Sequence, residues 1–135
     1  MMNREEVRQA AAEHEIGAHS FDHASMAQET DAYLVEDVQR CRAWIEAATG
    51  APMRIYAFPN GSHRPGQPEA ALAAGAEHVL LAGGSLGARG RIYDRVGIKT
   101  DTSAELRFRA LGAHAPIRSA SGRQHRAGGA PKDNP

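Results

Sequence analysis

The most regular pattern of apolar and polar positions runs from Asp31 to Thr49. Its apolar residues recur at alternating spacings of four and three, which predicts an amphipathic helix: Leu34, Val38, Cys41, Ile45 and Ala48. Thr30 is a suitable N-cap for this helix, and Gly50 is a suitable residue to end it. We therefore expect one long helix with a single buried face.

Shorter patterns flank this helix on both sides. They predict helices over 4–13, 68–74 and 102–111, and strands over 15–18, 53–58, 78–82 and 95–99. Strands that alternate with helices are typical of an α/β fold with a parallel sheet. From about residue 115 the composition shifts to Gly, Pro, Ser and Arg, so we predict a domain over 1–114 and a disordered tail over 115–135.

Composition narrows the classes of protein to consider. The chain has 135 residues, enough for one domain, and a formal net charge of zero, so we expect no nucleic-acid partner. It has one cysteine and hence no internal disulfide, and no apolar run is long enough to span a membrane. The charged N-terminal residues lack the apolar core of an export signal, which predicts a cytoplasmic location for the chain as given.

The strongest chemical signal is the pair His19 and His23, which follows the predicted strand 15–18. Two imidazoles four residues apart fall on one side of a helical turn or tight loop, and neutral imidazole is a preferred zinc ligand. Asp22 lies between them and is predicted to point away as a turn residue. Ser20 stands where a zincin protease needs a glutamate, which disfavours that class.

Three segments together resemble the polysaccharide deacetylase family, the NodB-homology carbohydrate esterases. His19-Ser-Phe-Asp-His23 is similar to the metal-binding H-[ST]-x-x-H motif of the family, and the helix that ends at Gly50 resembles the helix leading to its next strand. Tyr56-Ala-Phe-Pro-Asn-Gly61 is similar to the F-A-Y-P-N-G variant of its groove motif. Arg95 resembles the arginine of a late strand in such domains, and the match extends over about residues 4 to 112.

The resemblance implies a partial, distorted (β/α) barrel of the NodB type that lacks its first strand or strands. It implies a divalent metal, with zinc as the first choice, bound by His19 and His23. Pro59, Asn60 and Gly61 would line the groove for an acetylated polysaccharide or oligosaccharide, with the Asn60 N–H as oxyanion donor. His63 is a candidate acid.

The family's other metal ligand and its catalytic base are paired aspartates of an earlier T-F-D-D motif. No aspartate precedes Asp22 in this chain, so both carboxylates lack a counterpart. His114 superficially fits the family's late L-x-x-H motif, but it follows a predicted helix. We therefore expect a C-terminal piece of a deacetylase domain whose missing base argues against full activity. An unpaired sheet edge would favour self-association.

Three other functions stay open. The chain could be a non-catalytic remnant that binds a glycan or a partner protein without chemistry. It could also be an unrelated α/β metallohydrolase. A small nucleic-acid-binding module is the remaining alternative, and only the arginines of the tail support it. Family members often act outside the cytoplasm, so the resemblance leaves the native compartment undecided.

Overall fold

The computed structural model describes residues 2–82, 87–95 and 103–110. Within them lie four α-helices and four strands: α1 (Arg4–Ala11), α2 (Asp31–Thr49), β1 (Ile55–Ala57), α3 (Gln67–Ala73), β2 (His78–Leu81), β3 (Gly87–Arg89), β4 (Ile92–Asp94) and α4 (Ser103–Ala110). Single 3₁₀ turns span Met26–Gln28 and Pro59–Gly61. Over these residues, each helix is too short or too polar to cross a bilayer.

The sheet has the strand order β1-β2-β4-β3. Strands β1, β2 and β4 are parallel, and β3 is antiparallel to β4. On the outer side of β1, Ala18 pairs with Tyr56 in a single parallel bridge. The Ala18 N–H donates to the Ile55 carbonyl, and the Ala57 N–H donates to the Ala18 carbonyl, each at 2.8 Å. The segment that carries the histidines therefore leaves the sheet at its β1 edge.

Helix α2 supplies one wall of the core. All five residues of its predicted apolar repeat are buried, and all but Ala48 belong to one core cluster with strand residues that include Tyr56, Val79 and Ile92. The Thr30 hydroxyl accepts the Tyr33 N–H at 3.1 Å, and Gly50 has a left-handed φ of 75°, so both predicted ends of the helix are confirmed.

The predicted α/β class with parallel strands is confirmed, but several boundaries differ. The predicted strand 15–18 is reduced to the bridge at Ala18. Arg95 follows β4, which begins three residues earlier than predicted, while residues 96–99 lie outside the described residues. The β3–β4 hairpin was not predicted, because three-residue strands beside exposed arginines show little alternation. The predicted tail and its boundary at 114 also lie outside the described residues.

Candidate functional site

The side chain of His19 is fixed by the strand beside it. Its Nδ1–H donates to the carbonyl of Ala57, the last residue of β1, at 2.8 Å. A bond of this kind sets the tautomer, because the proton on Nδ1 leaves the lone pair of Nε2 for another partner. His19 is exposed, so that nitrogen can meet a ligand from solvent.

The ring of His23 lies next to that of His19. The two ring centroids are 5.1 Å apart, and the ring planes are inclined by 75°. Two imidazoles on one tetrahedral zinc, with Zn–N bonds of 2.0–2.1 Å, would hold their centroids about 5.2 Å apart. The observed separation is therefore compatible with a shared cation.

The loop that carries the histidines contains two residues in the left-handed region. Ser20 has φ of 63° and His23 has φ of 54°. Residues other than glycine are uncommon there, and the surrounding bonds must hold them in place. The Ser20 hydroxyl provides one such bond, because it accepts the Ala24 N–H at 3.1 Å and so closes the loop around His23.

A buried carboxylate anchors this loop to α2. Asp37 is 1% exposed, and its Oδ1 accepts the Ser20 hydroxyl at 3.1 Å and the Phe21 N–H at 2.9 Å. Its Oδ2 accepts the Tyr56 hydroxyl at 2.8 Å and the Cys41 thiol at 3.8 Å. Asp37 therefore joins the histidine loop, α2 and β1.

Asp37 is not among the residues predicted from the sequence, although the sequence contains a usable signal for it. Asp37 is three residues after Leu34 and four before Cys41, so it occupies a position within the buried stripe of α2. A charged residue in such a stripe needs a buried partner. Burial and the nearby carboxylate raise the pKa of the Cys41 thiol to about 12. Burial, followed by the hydrogen bond to Asp37, raises the pKa of Tyr56 above its usual value.

The predicted groove turn follows β1 directly. Pro59 is buried, and Asn60 is exposed with a left-handed φ of 52°. The N–H of Gly61 donates to the Phe58 carbonyl at 3.1 Å, whereas the N–H of Asn60 has no acceptor among residues 2–82, 87–95 and 103–110. At Gly61, φ is 67° and an added Cβ would lie 2.5 Å from the Cβ of Ala82, so only glycine fits this turn.

The groove turn and the histidine loop lie side by side. The hydroxyls of Ser25, two residues after His23, and Ser62, one residue after the turn, are 2.7 Å apart. The next residue, His63, donates from Nδ1 to the Gly61 carbonyl at 2.7 Å, and its ring centroid is 5.5 Å from that of Phe58. The structure thus brings the predicted groove residues and the histidine loop to one end of the sheet.

Asp22 bonds to two residues of α2. Its Oδ2 accepts the Arg40 guanidinium at 3.1 Å and the Tyr33 hydroxyl at 3.4 Å. Over the described part of the chain, no three His, Cys, Asp or Glu side chains come together in an arrangement that could hold a metal ion. Two imidazoles alone do not complete a zinc site, which has three or four protein ligands. His114 lies outside the described residues.

A comparison with family models matches residues 1–79 to the family described as polysaccharide deacetylase. Comparison with curated proteins gives no match.

Solved structures of the same kind of fold are similar to this chain. BA3943 of Bacillus anthracis, a CE4 family pseudoenzyme, is 27% identical with a TM-score of 0.52 over 57% of this chain and 28% of its own. A BA3943 mutant with restored enzymatic activity is 26% identical, with a TM-score of 0.53 over 57% of this chain and 29% of its own. A de-N-acetylase from Aggregatibacter actinomycetemcomitans is 19% identical, with a TM-score of 0.66 over 81% of this chain and 53% of its own.

These matches confirm the predicted partial fold of the NodB type. This chain spans between 28% and 53% of the length of the three structures. The identity of the de-N-acetylase is low enough that its likeness concerns the fold alone.

Proposed function

The chain belongs to the polysaccharide deacetylase family, and from that premise we propose that it binds acetylated polysaccharides or oligosaccharides beside a weakly held divalent metal. Zinc is the first choice, with His19 and His23 as its protein ligands. The observation that carries this proposal is the 2.8 Å hydrogen bond from His19 to Ala57, which joins the histidine loop to the strand that leads into the groove turn.

The chain's own residues account for binding better than for chemistry. Asn60 would offer its backbone N–H to the acetyl carbonyl oxygen, and Gly61 would let the sugar approach the backbone closely. His63, with Nδ1 held by the Gly61 carbonyl, would present Nε2 as a hydrogen-bond acceptor. Among the described residues, no third His, Cys, Asp or Glu joins the two histidines in a group that could hold a metal ion. Asp37 is buried and bonded to the loop backbone and Asp22 pairs with Arg40, so we assign neither as the base that hydrolysis of an N- or O-acetyl group needs.

The first experiment tests the metal ligands. We expect zinc binding by calorimetry to weaken at least about tenfold in His19→Ala and in His23→Ala, because each removes one of two ligands. His14→Ala is the matched control, since His14 is exposed on the chain before the loop. Unchanged zinc binding in the double variant would refute the assignment.

A second experiment tests the groove turn with tri-N-acetylchitotriose. Asn60→Gly keeps the N–H and suits the positive φ, so we expect its affinity to stay within about twofold of that of the parent. Gly61→Ala places a Cβ against Ala82, and we expect a loss of about 3 kcal/mol in the free energy of unfolding together with weaker sugar binding. Equal sugar binding by the parent and Gly61→Ala would count against this groove.

Hydrolysis of the acetyl group is the alternative function, and the likeness to a pseudoenzyme favours binding without chemistry. Binding and hydrolysis are distinguished by incubating the protein with zinc and tri-N-acetylchitotriose and then detecting free amines. We expect binding without measurable amine release. Release that needs zinc and disappears in His19→Ala would establish the hydrolase instead.

A further inference from the structure

The side chain of Arg95 reaches from the end of β4 across the ends of β2 and β1. Its Nε donates to the carbonyl of Leu81 and its Nη2 to the carbonyl of Phe58, both at 3.1 Å. Leu81 is the last residue of β2, and Phe58 directly follows β1. One half-buried guanidinium therefore ties together the carboxyl ends of two parallel strands.

The carbonyl of Phe58 has a second role in the same place. It also accepts the N–H of Gly61, the bond that closes the groove turn. The backbone of Arg95 is fixed as well, because its N–H donates to the Leu81 carbonyl at 2.9 Å. Arg95 is thus held both at its backbone and at its guanidinium. The guanidinium in turn fixes the Phe58 carbonyl, which closes the groove turn.

We infer that Arg95 is a positioning residue for glycan binding: it holds the groove turn so that the Asn60 N–H and Gly61 face the sugar. This inference rests on the proposed function. Hydrogen bonds from a charged donor are stronger than neutral ones. The planar guanidinium reaches two carbonyls at once, whereas a lysine ammonium acts as a point charge on a flexible stem.

Arg54 offers a matched control at the other end of the same two strands. It precedes β1, and its guanidinium donates to the carboxylate of Glu77, the residue before β2, at 2.6 and 3.2 Å. Arg54→Lys makes the same chemical change in the same pair of strands, but away from the turn.

The experiment compares Arg95→Lys, Arg95→Ala and Arg54→Lys with the parent. Amide hydrogen exchange of Gly61 and Ser62, zinc binding, and affinity for tri-N-acetylchitotriose are measured on each. In both Arg95 variants we expect the Gly61 amide to exchange about tenfold faster and the affinity for the sugar to fall about tenfold. Zinc affinity should stay unchanged. Added methylguanidinium should restore sugar binding to Arg95→Ala, and Arg54→Lys should match the parent.

The two proposals fail in different ways. If the parent binds no sugar, the proposed function fails, while exchange at Gly61 still tests whether Arg95 holds the turn. Parental exchange and sugar affinity in Arg95→Lys would overturn the inference. The inference would also be overturned if sugar binding weakened in the Arg95 variants, methylguanidinium did not restore it, and Arg54→Lys weakened it equally. If Arg95→Ala does not fold, Arg95→Lys decides the result.

Discussion

At the residue scale, the Asp37 carboxylate anchors the histidine loop to α2. It accepts hydrogen bonds from the Ser20 hydroxyl and the Phe21 N–H, which both lie between His19 and His23. The strained φ of Ser20 is therefore held from α2 and not from the loop alone.

We predict that Asp37→Asn lowers the free energy of unfolding by about 1–3 kcal/mol, since an amide NH₂ in place of one oxygen faces buried donors. Zinc binding should weaken in parallel, because the loop loses its anchor. Urea denaturation and calorimetry measure the two effects. Asp22→Asn is the control on the same loop. Its exposed pair with Arg40 should be worth no more than about 1 kcal/mol, and an equal loss in both variants would contradict the role given to Asp37.

At the scale of elements, α2 combines an apolar stripe with titratable groups that face β1. The thiol of Cys41 and the hydroxyl of Tyr56 both bond to Asp37, and burial is the largest cause of the raised pKa of each. Both groups hold their protons more tightly in the folded protein than in the unfolded chain. Stability from this source is therefore complete below the unfolded pKa of Cys41, about 8.5, and is lost as the pH rises toward 12.

We predict that the midpoint of urea unfolding falls as the pH is raised from 8 to 10, because this interval spans the unfolded thiol pKa of about 8.5. Cys41→Ala removes the thiol, so its midpoint should fall less steeply over the same interval. Identical slopes for the two proteins would show that the thiol does not contribute.

At the scale of the whole molecule, the edge of the sheet outside β1 is the least complete part of the described structure. The segment around Ala18 pairs with β1 on one side, and none of residues 2–82, 87–95 and 103–110 pairs with it on the other. A cavity of about 290 Å³ opens beside it, with a mostly apolar lining that includes Ile16, Phe21 and Trp44. Phe21 is 44% exposed.

We predict that the protein self-associates through this edge, because an unpaired strand beside an apolar surface favours pairing with a second copy. Sedimentation at several concentrations measures it. Ile16→Lys places a charge in the cavity and should shift the protein toward monomer. Leu106→Lys makes the same change in charge at an exposed position of α4 and should not. A monomer at every concentration, with one cooperative thermal transition, would contradict the prediction.

Much of the fold and part of the candidate site could be predicted from the sequence. The features predicted correctly depend on neighbours a few residues apart in the sequence. They are the apolar repeat and both ends of α2, the turn at Pro59–Gly61 and the start of β2 at His78. Helical period, capping residues and turn residues act over that short range. The assignment of His19 and His23 as ligands stays a prediction, as does the zinc ion.

Tertiary structure alone decided what holds these pieces together. Three hydrogen bonds join residues that are 16 to 38 positions apart in the sequence. They run from His19 to Ala57, from the Phe21 N–H of the histidine loop to Asp37, and from Arg95 to Phe58. No local spacing encodes such pairs, because they form only when the order of strands in the sheet brings their ends together. The sequence by itself determined which residues are candidates for the chemistry, and the packing of α2 and β4 around β1 determined how those residues are held.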